Sequence, residues 1–139
     1  MRAAAEQAPE GKRLASIVNG YLSTEHRDDA GNGCALPSLG VEASRANPKI
    51  RKAFTNKLEE MVEVIAEQFH DLPPKAARRE AIAVVSTMMG AMILARTAGT
   101  GEFSDEILSA GRYAALKAED AAKPRAKKPK PKTEAKTGV

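Results

Sequence analysis

Ala81 to Ala95, AIAVVSTMMGAMILA, contains no charged residue, and this stretch constrains the chain more than any other. It lies between two breakers, Pro73-Pro74 before it and Gly99-Thr100-Gly101 after it. Prolines open a helix well and glycines end one, so the spacing predicts a helix from about Lys75 to Ala98. Ala83, Ser86, Thr87, Gly90, Leu94 and Thr97 fall on one stripe of mostly small groups. Val85, Met88 and Met92 form a bulky stripe opposite. A helix that is apolar all round must be covered on more than one side. One side is expected against the domain's own core and the other against a second copy of the chain. The expected pairing residues are Ile65, Ala83, Ser86, Thr87, Gly90 and Leu94. Gly90 is central because small side chains permit close approach. The run is shorter than the roughly 20 residues a bilayer-spanning helix needs.

The neighbouring segments also read as helices. Leu14, Ile17, Val18, Tyr21 and Leu22 share one face between about Gly11 and Ser23. Glu25 to Asp29 and the Gly31-Asn32-Gly33 that follows are expected to break it. A short helix with Pro37 in its first turn is expected to reach about Ala46, burying Leu36, Leu39 and Val41. Asn47-Pro48 combines an N-cap with a proline at the first helical position. The helix that follows is expected to run to about His70, with an apolar stripe of Ile50, Phe54, Leu58, Met61, Val62, Ile65 and Phe69. Ser104, followed by Asp105 and Glu106, is the expected start of a last helix to about Asp120. The fold class is therefore all-α: an antiparallel helical bundle of about five helices.

Charge divides the chain. Of its 22 basic and 18 acidic residues, eight and three lie in residues 117–139, leaving 14 and 15 in residues 1–116. The body is near neutral, and the basicity sits in the Pro- and Lys-rich segment after Ala121. Repeated proline and like charge predict an extended, disordered tail. Lys123, Arg125, Lys127, Lys128, Lys130 and Lys132 would follow a phosphate backbone, giving non-specific nucleic-acid contact. No aromatic residue is there to stack on bases. The organisation expected is a flexible or partly helical lead over 1–11, a domain over 12–116, and a helix end with basic tail over 117–139. The single cysteine, Cys34, excludes an internal disulfide framework, and MRAAAEQAPEGKR lacks the apolar core of a signal peptide. A soluble cytoplasmic protein is expected, with no membrane association.

Tyr21-Leu22-Ser23 precedes His26-Arg27-Asp28-Asp29. Gly33-Cys34-Ala35-Leu36 comes next, and Gly90-Ala91-Met92-Ile93-Leu94-Ala95-Arg96 last. In that order, from about Lys12 to Leu116, the chain resembles the C-terminal effector-binding and dimerisation domain of TetR/AcrR-family transcriptional regulators. The resemblance implies a homodimer that pairs through Pro48–His70 and Lys75–Ala98 and takes a small effector among its helices. It implies a ligand-responsive transcriptional regulator without enzymatic activity or cofactor. The helix-turn-helix that reads operator DNA in such proteins has no counterpart in this sequence. Specific operator binding is therefore not expected of this chain alone. The alternative is an interaction protein that pairs with a full-length relative and withholds it from DNA.

Other chemistries find little here. Glu67-x-x-His70 has the spacing of one half of a di-iron ligand set, but no second copy exists, so no metal is expected. His26 with Asp28 and Asp29 has no nucleophile motif to serve, and neither a P-loop nor a dinucleotide fingerprint is present. Cys34 reads as a small packing residue, since no resolving cysteine accompanies it. Met88 and Met92, with Tyr21, Phe54 and Met61, are the expected lining of an apolar ligand pocket. Ordinary core packing is the other reading of the same residues.

Overall fold

The computed structural model describes residues 1–29, 31 and 35–122, and among these every regular element is helical. The elements are α1 (Arg2–Gln7), α2 (Arg13–Tyr21), α3 (Thr24–Asp28), α4 (Ala35–Arg45), α5 (Pro48–Ala66), α6 (Pro74–Ala98) and α7 (Glu102–Ala122). α6 is the central post. α7 packs along one side of it, α5 along another, and α3 and α4 reach it more briefly. α2 leans on α7, and α1 leans on α2.

The local signals that open α5 and that open and close α6 act as the sequence indicates. The Asn47 side chain accepts a hydrogen bond from the Ile50 N–H at 3.1 Å, capping α5, with Pro48 in its first turn. α6 starts at Pro74 and ends at Gly99, whose φ of 82° suits a residue without Cβ. α5 stops at Ala66, four residues before the expected end. Its last turn tightens, with Gln68 N–H bonding the Ile65 carbonyl and Phe69 N–H that of Ala66. This turns Phe69 into the core. α7 starts at Glu102, so Ser104 is not its cap but lies buried inside the first turn.

Three expectations fail. Glu25 to Asp29 does hold a helical turn, because Ser23 caps it by accepting from the His26 N–H at 3.1 Å. Leu39 and Val41 are exposed, although Leu36 is buried. Leu39 and Val41 stand about 60° and 140° round the helix from Leu36, so one short helix cannot bury all three. Ile50 and Leu58 are exposed and Phe54 is half-buried, so the stripe on α5 is fully covered only from Met61 onward.

The core is aliphatic: Leu14, Ile17, Val18 and Leu22 from α2 and the turn after it, Met61 and Ile65 from α5, Val84, Met88 and Met92 from α6, and Leu108 from α7. Burying a side chain of this size contributes about 1.5–3 kcal/mol. By length and hydropathy α6 would also pass as a membrane span. Its Val84–Met88–Met92–Ala95 side is packed inside this domain, as in the core helix of a soluble bundle.

α6 and α7 meet at very short range. Ala91, Ala95, Ser104, Gly111 and Ala115 are all buried. A Cβ placed on Gly111 would stand 2.5 Å from the Ala91 Cβ and 3.1 Å from Leu22 Cδ1. Only glycine fits there.

Candidate functional site

The side of α6 turned away from the core holds Ala83, Ser86 and Leu94, all exposed, with Thr87 and Gly90 half-exposed. Leu94 is 58% exposed, and Ile93 next to it and Ile82 about three turns earlier are exposed as well. Hydroxyls would ordinarily make such a face polar, but here they are used internally. Ser86 donates to the Ile82 carbonyl at 2.7 Å, Thr87 to Ala83 at 2.9 Å and Thr97 to Ile93 at 2.8 Å. What faces outward is hydrocarbon. No atom lies within 4 Å of a Cβ built on Gly90, so the face is open at its middle. Ile65 is not part of it: its side chain is fully enclosed within the subunit.

α7 extends this face. Asp105 and Arg112 turn inward to α3 and α2. About 140° to 180° round the helix from them lie Phe103, Ala110 and Ala114, all exposed, Phe103 by 67%, with exposed Glu106 and Lys117 beside them. Arg96 of α6 likewise points to α3, with Leu94 and Thr87 on its opposite flank. The inward-bonded side chains Asp105, Arg112 and Arg96 thus lie at the back of the α6–α7 hairpin, and the uncharged stretch of α6 at its front.

The expected pocket residues sit in the core. Met88 and Met92 are fully enclosed, Met61 and Tyr21 nearly so, and Phe54 packs against the cluster from its rim. An open cleft of about 330 Å³ lies elsewhere, at the junction of α2 and α3. Asn19, Ser23, Thr24, Glu25 and Arg112 line it, and much of the surface they present is hydrocarbon.

That junction, residues 20–28, is the most heavily bonded part of the molecule. Arg27 is only 7% exposed. It donates to Asp28 and to Asp105, each at 2.7 Å, and to the Ser104 hydroxyl at 3.0 Å. The Ser104 hydroxyl in turn donates a hydrogen bond to the Ala95 carbonyl at 2.9 Å. Arg96 donates to the carbonyls of His26 and Arg27 at 2.8 and 3.2 Å, satisfying the free end of α3. Arg112 bonds the Leu22 carbonyl. His26 Nδ1 lies 2.6 Å from the Tyr21 carbonyl, so this nitrogen carries the proton, and the two rings meet edge to face at 4.6 Å. The hydrogen bond from Arg27 holds the Asp28 carboxyl below its ordinary range, and both carboxylates raise the Arg27 guanidinium. Glu25 is lowered chiefly by a bond to its own backbone N–H. Sequence reading named Tyr21, the His26–Asp29 motif, Arg96, Ser104 and Asp105 for other reasons, but it neither joined them to one another nor singled out Arg112. Arg27 and Asp105 are 78 positions apart, and no local pattern joins them.

Glu67 pairs with Arg2 at 3.2 Å. Among the described residues no group of three or more histidine, cysteine, aspartate or glutamate side chains is placed to hold a metal. Cys34 and the tail residues Lys123, Arg125, Lys127, Lys128, Lys130 and Lys132 lie outside the described residues.

Compared with known families, residues 11–108 match a TetR C-terminal domain described as transcriptional regulator LmrA/YxaF-like, C-terminal domain. Comparison with curated proteins finds no match.

Proposed function

The chain belongs to the TetR family of transcriptional regulators, by a C-terminal domain of the LmrA/YxaF-like kind, and from that premise we propose that it acts as a regulatory domain which pairs with a second copy of itself and responds to a small apolar effector. One observation carries the pairing: the outward side of α6 from Ile82 to Leu94 is an exposed face without a charged residue, on a chain whose residues are 29% charged. A large exposed apolar patch marks an interaction surface. Two such hairpins, set face to face across Gly90, would form a four-helix contact of the size an obligate dimer needs, about 2,000 Å² or more. In this reading Ala83, Ser86, Thr87, Gly90 and Leu94 make the seam, and Phe103 adds an aromatic anchor at its edge.

The effector belongs in the core around Tyr21, Phe54, Met61, Met88 and Met92. Unbranched methionine side chains repack around ligands of varied shape. The domain works in the cytoplasm, without catalysis. Its tail adds non-specific nucleic-acid contact.

Gly90→Glu tests the pairing cleanly. In the monomer the new side chain points into open space, and the substitution favours the helix. In the dimer it buries an unpaired charge. Sedimentation equilibrium should show a wild-type dimer at micromolar concentration and a folded monomer for the variant. A well-folded wild-type monomer at that concentration would end this reading.

A second reading has its own support. The α6 stretch from Ala81 to Ala95 carries no charge that would repel a related face, so nothing in that stretch discriminates against a full-length relative. Such mixed pairing would withhold the relative from DNA. Pull-down from the native host, scored for a longer protein of the same family, separates the two.

A further inference from the structure

The α2–α3 junction lies on the back of the hairpin whose front forms the pairing face. Three arginines from three helices fix it there. Arg27 reaches from α3 to Asp105 and Ser104 on α7. Arg96 reaches from α6 to the end of α3. Arg112 reaches from α7 to Leu22, the residue that follows α2. Asp105 and Arg112 are two helical turns apart, so α7 is held at two separated points along its length. Ser104 closes the loop, because its hydroxyl accepts from Arg27 and donates to Ala95 in the last turn of α6. Arg27 thus touches both helices of the hairpin: α7 directly, and α6 through Ser104.

The hairpin crosses closely: Ala91 and Gly111 meet with no room for a further Cβ, and Ala95 and Ala115 are buried as well. Small apolar groups of this kind set the distance between the helices, and they are non-directional. The ionic contacts on the back add a directional constraint on the angle of α7.

We propose that Arg27 is a positioning residue for the pairing face: it sets the angle of α7 against α6, and so dimer affinity, without touching the partner. This rests on the pairing reading above. It adds that residues 20–28, whose Ser23, Thr24 and Glu25 line the cleft with Asn19 and Arg112, are mechanically joined to the dimer seam.

Asp105→Asn is the first test, because Asp105 is more than half exposed and its loss cannot empty the core. Arg27→Gln and Arg27→Lys accompany it. Dimer dissociation constants come from sedimentation equilibrium, and amide exchange is followed over α5, α6 and α7. Asp105→Asn should weaken the dimer roughly fivefold or more, the lower end of ordinary coupling between sites. Arg27→Gln should weaken it further. Arg27→Lys, which keeps the charge but not the branched donor, should fall between wild type and Arg27→Gln. The double variant Arg27→Gln/Asp105→Asn should be no worse than Arg27→Gln alone, since both changes remove one interaction. Exchange should rise in the facing turns of α6 and α7 and stay unchanged in α5. Variants that fold and dimerise within twofold of wild type would overturn the proposal while leaving the pairing reading intact. A wild-type protein that never dimerises would overturn both, because Arg27 would then have no seam to position.

Discussion

Gly111→Ala sets two known effects against each other, and the structure says which should prevail. In an exposed helix, replacing glycine by alanine gains about 1 kcal/mol of helix propensity. At Gly111 the added Cβ would lie 2.5 Å from the Ala91 Cβ. Two carbons rest at about 3.5–4.0 Å, so the helices must separate by about 1 Å or more. Ala91 cannot yield by rotating a side chain, because its Cβ is fixed to the backbone. The move must come from α6 or α7 as a whole, and overpacking of this sort costs typically about 1–3 kcal/mol. The net expectation is a loss of about 0–2 kcal/mol, the difference between that cost and that gain. Gly20→Ala is the control. Gly20 is also helical, but nothing lies within 4 Å of its Cβ position. It should gain about 0.5–1 kcal/mol. Urea unfolding followed by circular dichroism, with both variants at one protein concentration, reads the difference directly. Ala91→Gly in the Gly111→Ala background removes the clash and should recover part of the loss, so the two sites should be strongly non-additive. If Gly111→Ala proves as stable as Gly20→Ala, the close crossing of α6 and α7 is wrong, and the argument for the seam in front of it weakens too.

Three further outcomes follow from the same structure. Met88→Ala should cost about 2–5 kcal/mol in denaturant unfolding, because its side chain is fully enclosed. A cost under about 1 kcal/mol would indicate space around it that ordinary core packing does not leave. Asp28 has its carboxyl held below the ordinary value of 3.8 by Arg27, so its stabilising contribution is complete above that value and is lost as pH falls through the folded-state pKa. Amide protection of α3 should therefore decline below about pH 4, and Asp28→Asn should remove that pH dependence. Truncation after Ala122 should abolish non-specific DNA binding and leave helicity unchanged. For the full chain, log affinity against log salt should have a slope of about −3 to −5, since prolines prevent all the tail cations from engaging together. A truncated chain that bound DNA as tightly as the full one would locate the contact in the body.

The front and back of the hairpin carry different kinds of interaction. The front, along α6 from Ile82 to Leu94, is uncharged, and its hydroxyls bond only their own helix. The back is ionic and directional, with each arginine donating to a defined oxygen. Burial alone would not hold Arg27, whose charge would be costly without its acceptors. Its low exposure is tolerable because Asp28, Asp105 and Ser104 meet it.

Much of this was legible in the chain itself, wherever the cause is local. Asn47-Pro48, Pro73-Pro74 and Gly99 mark helix ends because capping and breaking depend on residues within a turn of each other. The uncharged run of α6 announces a helix needing two covers, because periodicity belongs to one segment. The order of the short motifs identified the family for the same reason. What the sequence did not determine is which apolar groups find a cover. Leu39, Val41, Ile50 and Leu58 look like core residues and are exposed, because burial depends on whether another helix passes over them. Nor did it reveal that Arg27 meets Asp105, or that Gly111 meets Ala91. Those pairs are far apart along the chain, and only the packing of α2, α3, α6 and α7 brings them within reach. Helix ends are set by neighbours in sequence, whereas the clamp and the close crossing are set by neighbours in space.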